Sequence, residues 1–226
     1  MSQSRGAYPA RRAAALSGVP LSTVHFWARE GILVPSVSAR RVKLWSYPDL
    51  MGLRTIYWLR QSKTAPDGAE VPRTAMPAVR RALQQLAELN LSLWSEGHGP
   101  SVAVDRGGSI LVLAEEDLGA SARQRRMPAI EGELLTVTLP FLTVEGSRGP
   151  DLNRPRPLLR IVPGKLGGAP HVAHTRVESE ALAALASSGL PVATVYALYP
   201  SLSHGAIDEA LSLERQLDEN LGQRAA

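Results

Sequence analysis

The chain has no cysteine, and that absence excludes disulfides and every metal site built on thiolates. It has no apolar run near the about 18 residues needed to span a bilayer, and its N-terminus lacks the apolar core of a signal peptide. A cytoplasmic location without membrane contact is the expectation. Lysine is scarce, with three against 22 arginines. Catalytic groupings are scarce too, since an enzyme needs a nucleophile beside a base or a spaced carboxylate set. The acidic cluster Glu115-Glu116-Asp117 reads instead as a solvated turn or a helix cap. Gly164 to Gly168 lacks the lysine-serine or lysine-threonine ending of a phosphate loop, so no nucleotide site is expected. Five histidines occur, His25, His98, His171, His174 and His204. His171 and His174 are spaced i, i+3, but no carboxylate or third histidine is fixed beside them, as a metal would require. No catalytic residue, metal or cofactor is therefore assigned.

What is present can bury real cores and is long enough for one or two domains, two being the better reading: 226 residues, 44% of them hydrophobic. The net charge is only +4, yet it is unevenly spread. Residues 1–63 hold ten arginines and lysines against Glu30 and Asp49, a balance of +8. Residues 171–226 hold three arginines against seven acids, a balance of −4. A basic end suits phosphate and an acidic end suits a protein.

The most informative stretch is Tyr8 to Gln61. Its first half shows two helical patterns separated by Ser17-Gly18-Val19, where the glycine suits a helix-turn-helix corner. The first helix is expected over about Ala10 to Leu16. In the second, Val24, Trp27 and Ala28 form one buried stripe and leave Ser22, Thr23, His25 and Arg29 outward. Ile32-Leu33-Val34, stopped by Pro35, and Val42 to Trp45 read as a two-stranded wing rimmed by Arg40, Arg41 and Lys43. Ser46-Tyr47-Pro48-Asp49 has the spacing of a capping box ahead of a third helix. The order helix, turn, helix, wing, helix resembles the MerR-type winged helix-turn-helix, on ALSGVPLSTVHFWAREGILVP and LWSYPDL. The resemblance covers Tyr8 to Gln61 and implies binding of duplex DNA. Ser22 and His25 stand where that family often carries arginines, so the wing is expected to contribute more. The residues expected to meet DNA are Arg11, Arg12, Ser22, Thr23, His25, Arg29, Arg40, Arg41 and Lys43. Trp27, Trp45 and Trp58 are read as core anchors in a module otherwise rich in alanine.

Beyond this module, Pro66-Asp67-Gly68 marks a turn, and Arg73 to Asn90 reads as an amphipathic helix of about four turns. That is too short for the long coiled coil by which MerR-type regulators pair. A homodimer is still expected, because paired half-sites raise affinity. Its contact is placed in this helix, the middle or the C-terminal bundle. Residues 93–163 turn rich in Gly, Pro and β-branched runs. Val102 to Val104 and Ile110 to Leu113 flank Asp105-Arg106-Gly107-Gly108, a hairpin signal. Leu134 to Val144 and Leu158 to Val162 read as further strands.

The last block carries helical patterns at Ser179 to Ser187, Val192 to Leu198 and Ser203 to Leu217, split by Gly189 and Tyr199-Pro200. The fold class expected is α+β. An N-terminal winged helix-turn-helix (1–92) is followed by a β-rich middle (93–163) and a C-terminal three-helix, helix-turn-helix-like bundle (164–226). GGAPHVAHTRV, the helices after it and the Tyr-Pro step resemble a small domain that recurs in VapB-type antitoxins, encoded beside PIN-like ribonucleases. The common Gly-Thr-Arg step stands here as His174-Thr175-Arg176. The resemblance implies an antitoxin of a type II toxin-antitoxin system that neutralises a PIN-like (VapC-type) ribonuclease and represses its own promoter. Arginines suited to the carboxylate-lined toxin site are Arg123, Arg125 and Arg126, in a basic loop, and Arg176. The second reading is a MerR-like regulator without a toxin, with a small-molecule pocket in the β-rich middle.

Overall fold

In a computed structural model, the described residues are 6–64, 70–88, 94–95, 99–100, 102–104, 107, 109–112, 141–143 and 146–222. They divide into two compact units. One takes 1–50, 138–140 and 148–226, and the other 51–137 with 141–147. Residues 1–50 and 148–226 thus share a unit, although the sequence suggested separate segments. Among the described residues the architecture is mainly helical with small antiparallel two-stranded sheets.

In the first unit, α1 (Ala10–Ser17) ends at Gly18 in the left-handed region, φ 73°, with the Gly18 N–H donating to the Ala14 carbonyl. A side chain there would pay the steric cost of positive φ, so the glycine sets the corner. The next helix, α2 (Leu21–Arg29), follows Pro20, whose ring fixes φ near −54°.

The wing differs from expectation. Ile32-Leu33-Val34 forms no strand. Instead β2 (Leu44–Trp45) pairs antiparallel with β1 (Tyr8–Pro9), and Leu44 bridges Ser38. Pro35 interrupts any ladder from Val34 onward. The N–H and hydroxyl of Ser36 both donate to the Asp49 carboxylate, at 2.9 and 2.8 Å, which holds that segment off a sheet path.

Three helices complete this unit: α5 (Ser179–Ser187), α6 (Val192–Leu198) and α7 (His204–Gly222). The first two have the bounds expected from sequence, while α7 continues past Leu217 to Gly222. Its buried stripe, Ala206, Ile207, Ala210, Leu213, Glu214, Leu217 and Asn220, follows helical spacing. It covers α5 and also α1, where Ala13, Ala14 and Ala15 are buried and their small side chains permit close approach. Before these helices β11 (Leu159–Arg160) pairs with β12 (His171–Val172), and the turn that follows carries His174 at φ 63°. Glycine would accept this positive φ freely, and a histidine here carries its steric cost.

Polar contacts over long sequence separations tie this unit together. Arg12 donates from both Nη atoms to Glu214, at 2.5 and 2.8 Å, and the Ser179 hydroxyl donates to the same carboxylate. The Asn220 amide donates to the Ala15 carbonyl at 3.0 Å. The Tyr8 hydroxyl donates to the Gly168 carbonyl at 2.9 Å, and the Tyr47 hydroxyl contacts the Leu152 carbonyl and Asn153 Oδ1. Gly168, at φ 85°, lies so close that a Cβ would fall 2.0 Å from the Tyr8 oxygen. Burial, and next the neighbouring Tyr47, raise the Tyr8 pKa far above its ordinary value. The phenol therefore stays a donor.

The second unit includes α3 (Tyr47–Leu59) from Met51 on, with Leu53, Arg54, Ile56 and Leu59 fully buried. Hairpin β3 (Lys63–Thr64)/β4 (Glu70–Val71) leads to α4 (Met76–Glu88), which begins later than the expected Arg73, while 89–90 lie outside the described residues. After β5 (Trp94–Ser95) and β6 (Gly99–Pro100), the expected hairpin forms from β7 (Val102–Val104) and β8 (Ile110–Val112), with Val102 opposite Val112. Strands β9 (Phe141–Thr143) and β10 (Gly146–Arg148) also pair. Of the run Leu134 to Val144, only 141–143 lies among the described residues.

The side chains of Arg12 and Glu214 are 16% and 10% exposed. Removing one partner of such a pair leaves a buried charge, whereas replacing both by apolar residues can be neutral. Arg12→Ala is expected to lower unfolding free energy by about 3 kcal/mol in urea titration, and Arg12→Met with Glu214→Leu by much less.

Candidate nucleic-acid interface

Helix α2 buries Val24 and Trp27 and leaves Ala28 half-buried. Its other face shows Ser22, His25 and Arg29 exposed and Thr23 half-buried, as the helical spacing predicts. Phe26 joins them, 44% exposed, with the Arg29 guanidinium 5.5 Å from its ring centre. That stacking restrains Arg29 over the outward face. Phe26 falls outside the set expected from sequence. It lies about 200° around the helix from Val24, so the periodicity that buries Val24 already turns it outward.

The wing tip is built from local hydrogen bonds. The Ser38 hydroxyl donates to the Val42 carbonyl at 2.8 Å, and Ser38 and Leu44 exchange backbone bonds. Between them Arg40 and Arg41 are exposed, Lys43 is half-buried and Val42 is 61% exposed. None of these three cations forms an ion pair with a described residue. The base of the wing is pinned at the start of α3. Asp49 accepts from the Ser46 N–H at 2.7 Å, and Ser46 Oγ accepts from the Asp49 N–H at 3.2 Å. This is the reciprocal capping box expected from the spacing. The Ser36 hydroxyl adds a bond to Ser46 Oγ at 2.8 Å.

The arginines of α1 have a different environment from the one expected. Arg12 is turned to α7 and committed to Glu214, so it is not presented to a groove, because α7 covers the face of α1 that carries it. Burial alone would lower its pKa. The Glu214 hydrogen bond and charge, with Glu180 and Glu178 beyond, hold it above its ordinary value instead. Arg11 remains exposed, 3.5 Å from Asp218. Arg176 is exposed on the turn after β12. Arg123, Arg125 and Arg126 lie outside the described residues.

A helix-turn-helix with a polar outward face on its second helix, followed by a basic wing, defines a DNA-binding regulatory domain. Residues 8–70 match the family described as MerR HTH family regulatory protein. Residues 160–213 match a family described as protein of unknown function, DUF433. The chain thus carries a MerR-family helix-turn-helix at its N-terminus and a DUF433 domain at its C-terminus. No curated protein matches the chain. The crystal structure of Rv2018 from Mycobacterium tuberculosis is similar over 90% of this chain and 96% of that one, at 14% identity and a TM-score of 0.46. No helix of the described residues is long and apolar enough to cross a membrane.

Each phosphate neutralised by a cation releases about 0.9 counterion from duplex DNA. Arg40→Ala with Arg41→Ala is therefore expected to weaken binding to all sequences and to flatten the plot of log affinity against log salt by about two contacts. Electrophoretic mobility shifts across a salt series measure both, and an unchanged slope contradicts the wing assignment.

Proposed function

We propose that this protein is the antitoxin of a type II toxin-antitoxin pair, binding its own promoter and neutralising a PIN-like ribonuclease. The DNA half rests on α2 and the wing, where Ser22, Thr23, His25, Arg29, Arg40, Arg41 and Lys43 are available. The toxin half rests on the resemblance of residues 164–226 to the antitoxin-associated domain. One observation favours joining the two in a single mechanism. The helices of that domain and the DNA-reading helices belong to one compact unit, so a ligand of either is able to act on both.

A PIN-like ribonuclease gathers carboxylates around a divalent ion, and the planar fork of arginine suits such a site. Arg123, Arg125 and Arg126 are assigned as the arm that enters it, with Arg176 as a further contact. The acidic balance of residues 171–226 adds steering toward a basic rim. Pairing into a homodimer would place two reading helices on a pseudo-palindrome.

The test is coexpression with the PIN-like ribonuclease encoded beside this gene. Deleting residues 164–226 is not a clean variant, because α7 covers α1. The full chain is expected to restore growth and to copurify with the ribonuclease. Changing Arg123, Arg125 and Arg126 together to alanine is expected to abolish protection while the complex persists. A full chain that neither protects nor copurifies contradicts the antitoxin reading.

A further inference from the structure

A second group of arginines, none of them assigned above, lies on β11 and the loop before it. Arg154 donates from Nε and Nη2 to the Pro157 carbonyl, at 3.2 and 3.1 Å. Arg160 donates from Nη1 to the same oxygen at 3.0 Å and to the Leu159 carbonyl at 2.6 Å. Two guanidiniums that share one acceptor oxygen are held side by side, their nitrogens separated by no more than two hydrogen bonds laid end to end. Neither forms an ion pair with a described carboxylate. Of the five N–H donors each carries, two go to carbonyls, so three in each remain for a ligand. Two like charges held this close without a counterion favour an incoming anion.

The loop is fixed in advance. The Asp151 carboxylate accepts from the N–H groups of Asn153 and Arg154, at 2.7 and 2.8 Å. Glu209 accepts from the Leu158 N–H at 2.7 Å, and the Ile161 N–H donates to the Asn153 carbonyl at 3.1 Å. Pro155 and Pro157 restrict φ between them.

The neighbours decide the kind of anion. Leu158 and Val162 are 40% and 42% exposed, an apolar pair interleaved with the cations. Glu209 stands at this loop, and α7 bears Asp208, Asp218 and Glu219 besides, all exposed or half-exposed. A duplex, carrying a phosphate charge every about 1.7 Å along its axis, offers phosphates to the guanidiniums but no apolar side chain to cover Leu158 and Val162. A protein segment that is both acidic and apolar matches the two features together.

We propose that Arg154 and Arg160, with Leu158 and Val162, form a docking site for an acidic, leucine-like segment of a partner protein, its carboxylates pairing with the two guanidiniums. Identifying that partner with the ribonuclease rests on the proposed function; the site itself does not. The arginine forks pair bidentately with carboxylate, and the two apolar side chains lose their exposure on docking.

Isothermal titration of the full chain with a blocked peptide of alternating glutamate and leucine tests the site. The parent is expected to bind it, and Arg154→Gln with Arg160→Gln to weaken binding at least ten-fold. Arg40→Ala with Arg41→Ala should change it less than two-fold. A peptide with glutamine in place of glutamate should bind at least ten-fold more weakly to the parent, a comparison independent of how the variants fold. No binding by the parent, equal binding by the arginine double variant or by the glutamine peptide, or displacement of the peptide by a short DNA duplex overturns the proposal. A chain that binds the peptide through these arginines but not the ribonuclease refutes the antitoxin reading and leaves the site. One that binds the ribonuclease equally with and without them, and ignores the peptide, refutes the site and leaves the antitoxin reading.

Discussion

The bidentate pair between Arg12 and Glu214, joined by the Ser179 hydroxyl, is the contact on which the first unit turns. It links the first helix of the DNA-reading pair to the last long helix of the C-terminal domain across 202 positions of chain. A buried ion pair is weak evidence of net stability, because desolvation offsets the attraction. What it supplies is register. Small faces such as Ala13 to Ala15 offer little shape to define one alignment on α7, and a charged, hydrogen-bonded partner is a means of selecting it. Asn220 on Ala15 and Tyr8 on Gly168 fix the same alignment at other points.

That arrangement also redistributes charge. The basic balance of residues 1–63 suggests a broadly cationic surface, but Arg12 is neutralised by Glu214, Arg11 lies opposite Asp218, and Arg54 is buried. The cations of the wing are left without an ion pair among the described residues, while Arg29 lies on the outward face of α2 with Glu30 3.4 Å from its Nε. Because Asp49 holds both Ser36 and the start of α3, the wing is anchored to rigid structure rather than hanging on a free loop. The acids of the C-terminal block serve two purposes for the same reason. Glu214 and Asp218 face α1, and Glu209 holds the loop that displays Arg154 and Arg160.

Local signals were legible in the sequence and long-range ones were not. Helical period located α1, α5 and α6 almost to the residue and told the buried from the outward face of α2, the glycine pair located the β7/β8 hairpin, and the serine-to-aspartate spacing located the capping box. Each depends on neighbours within a few positions. The strand partner of Leu44–Trp45 is Tyr8–Pro9, on the far side of both reading helices, and such short strands carry too little alternation to announce a partner. Arg12 looked like a DNA contact because a basic residue in a helix-turn-helix has that prior, and nothing nearby revealed an acid close to the other end of the chain. Phe26 was within reach of the same periodicity that buried Val24. The pairing of Arg154 with Arg160 depends on a shared carbonyl, which composition does not display.

The reading helices and the C-terminal helices belong to one compact unit, so they are expected to open together. Native-state hydrogen exchange measures this directly, since amides in one cooperative unit share an opening free energy. The account predicts that amides of α1 and α7 exchange with the same opening free energy in the parent, and that Arg12→Ala lowers both together. Loss of protection in α7 alone, with α1 amides unchanged, would contradict it.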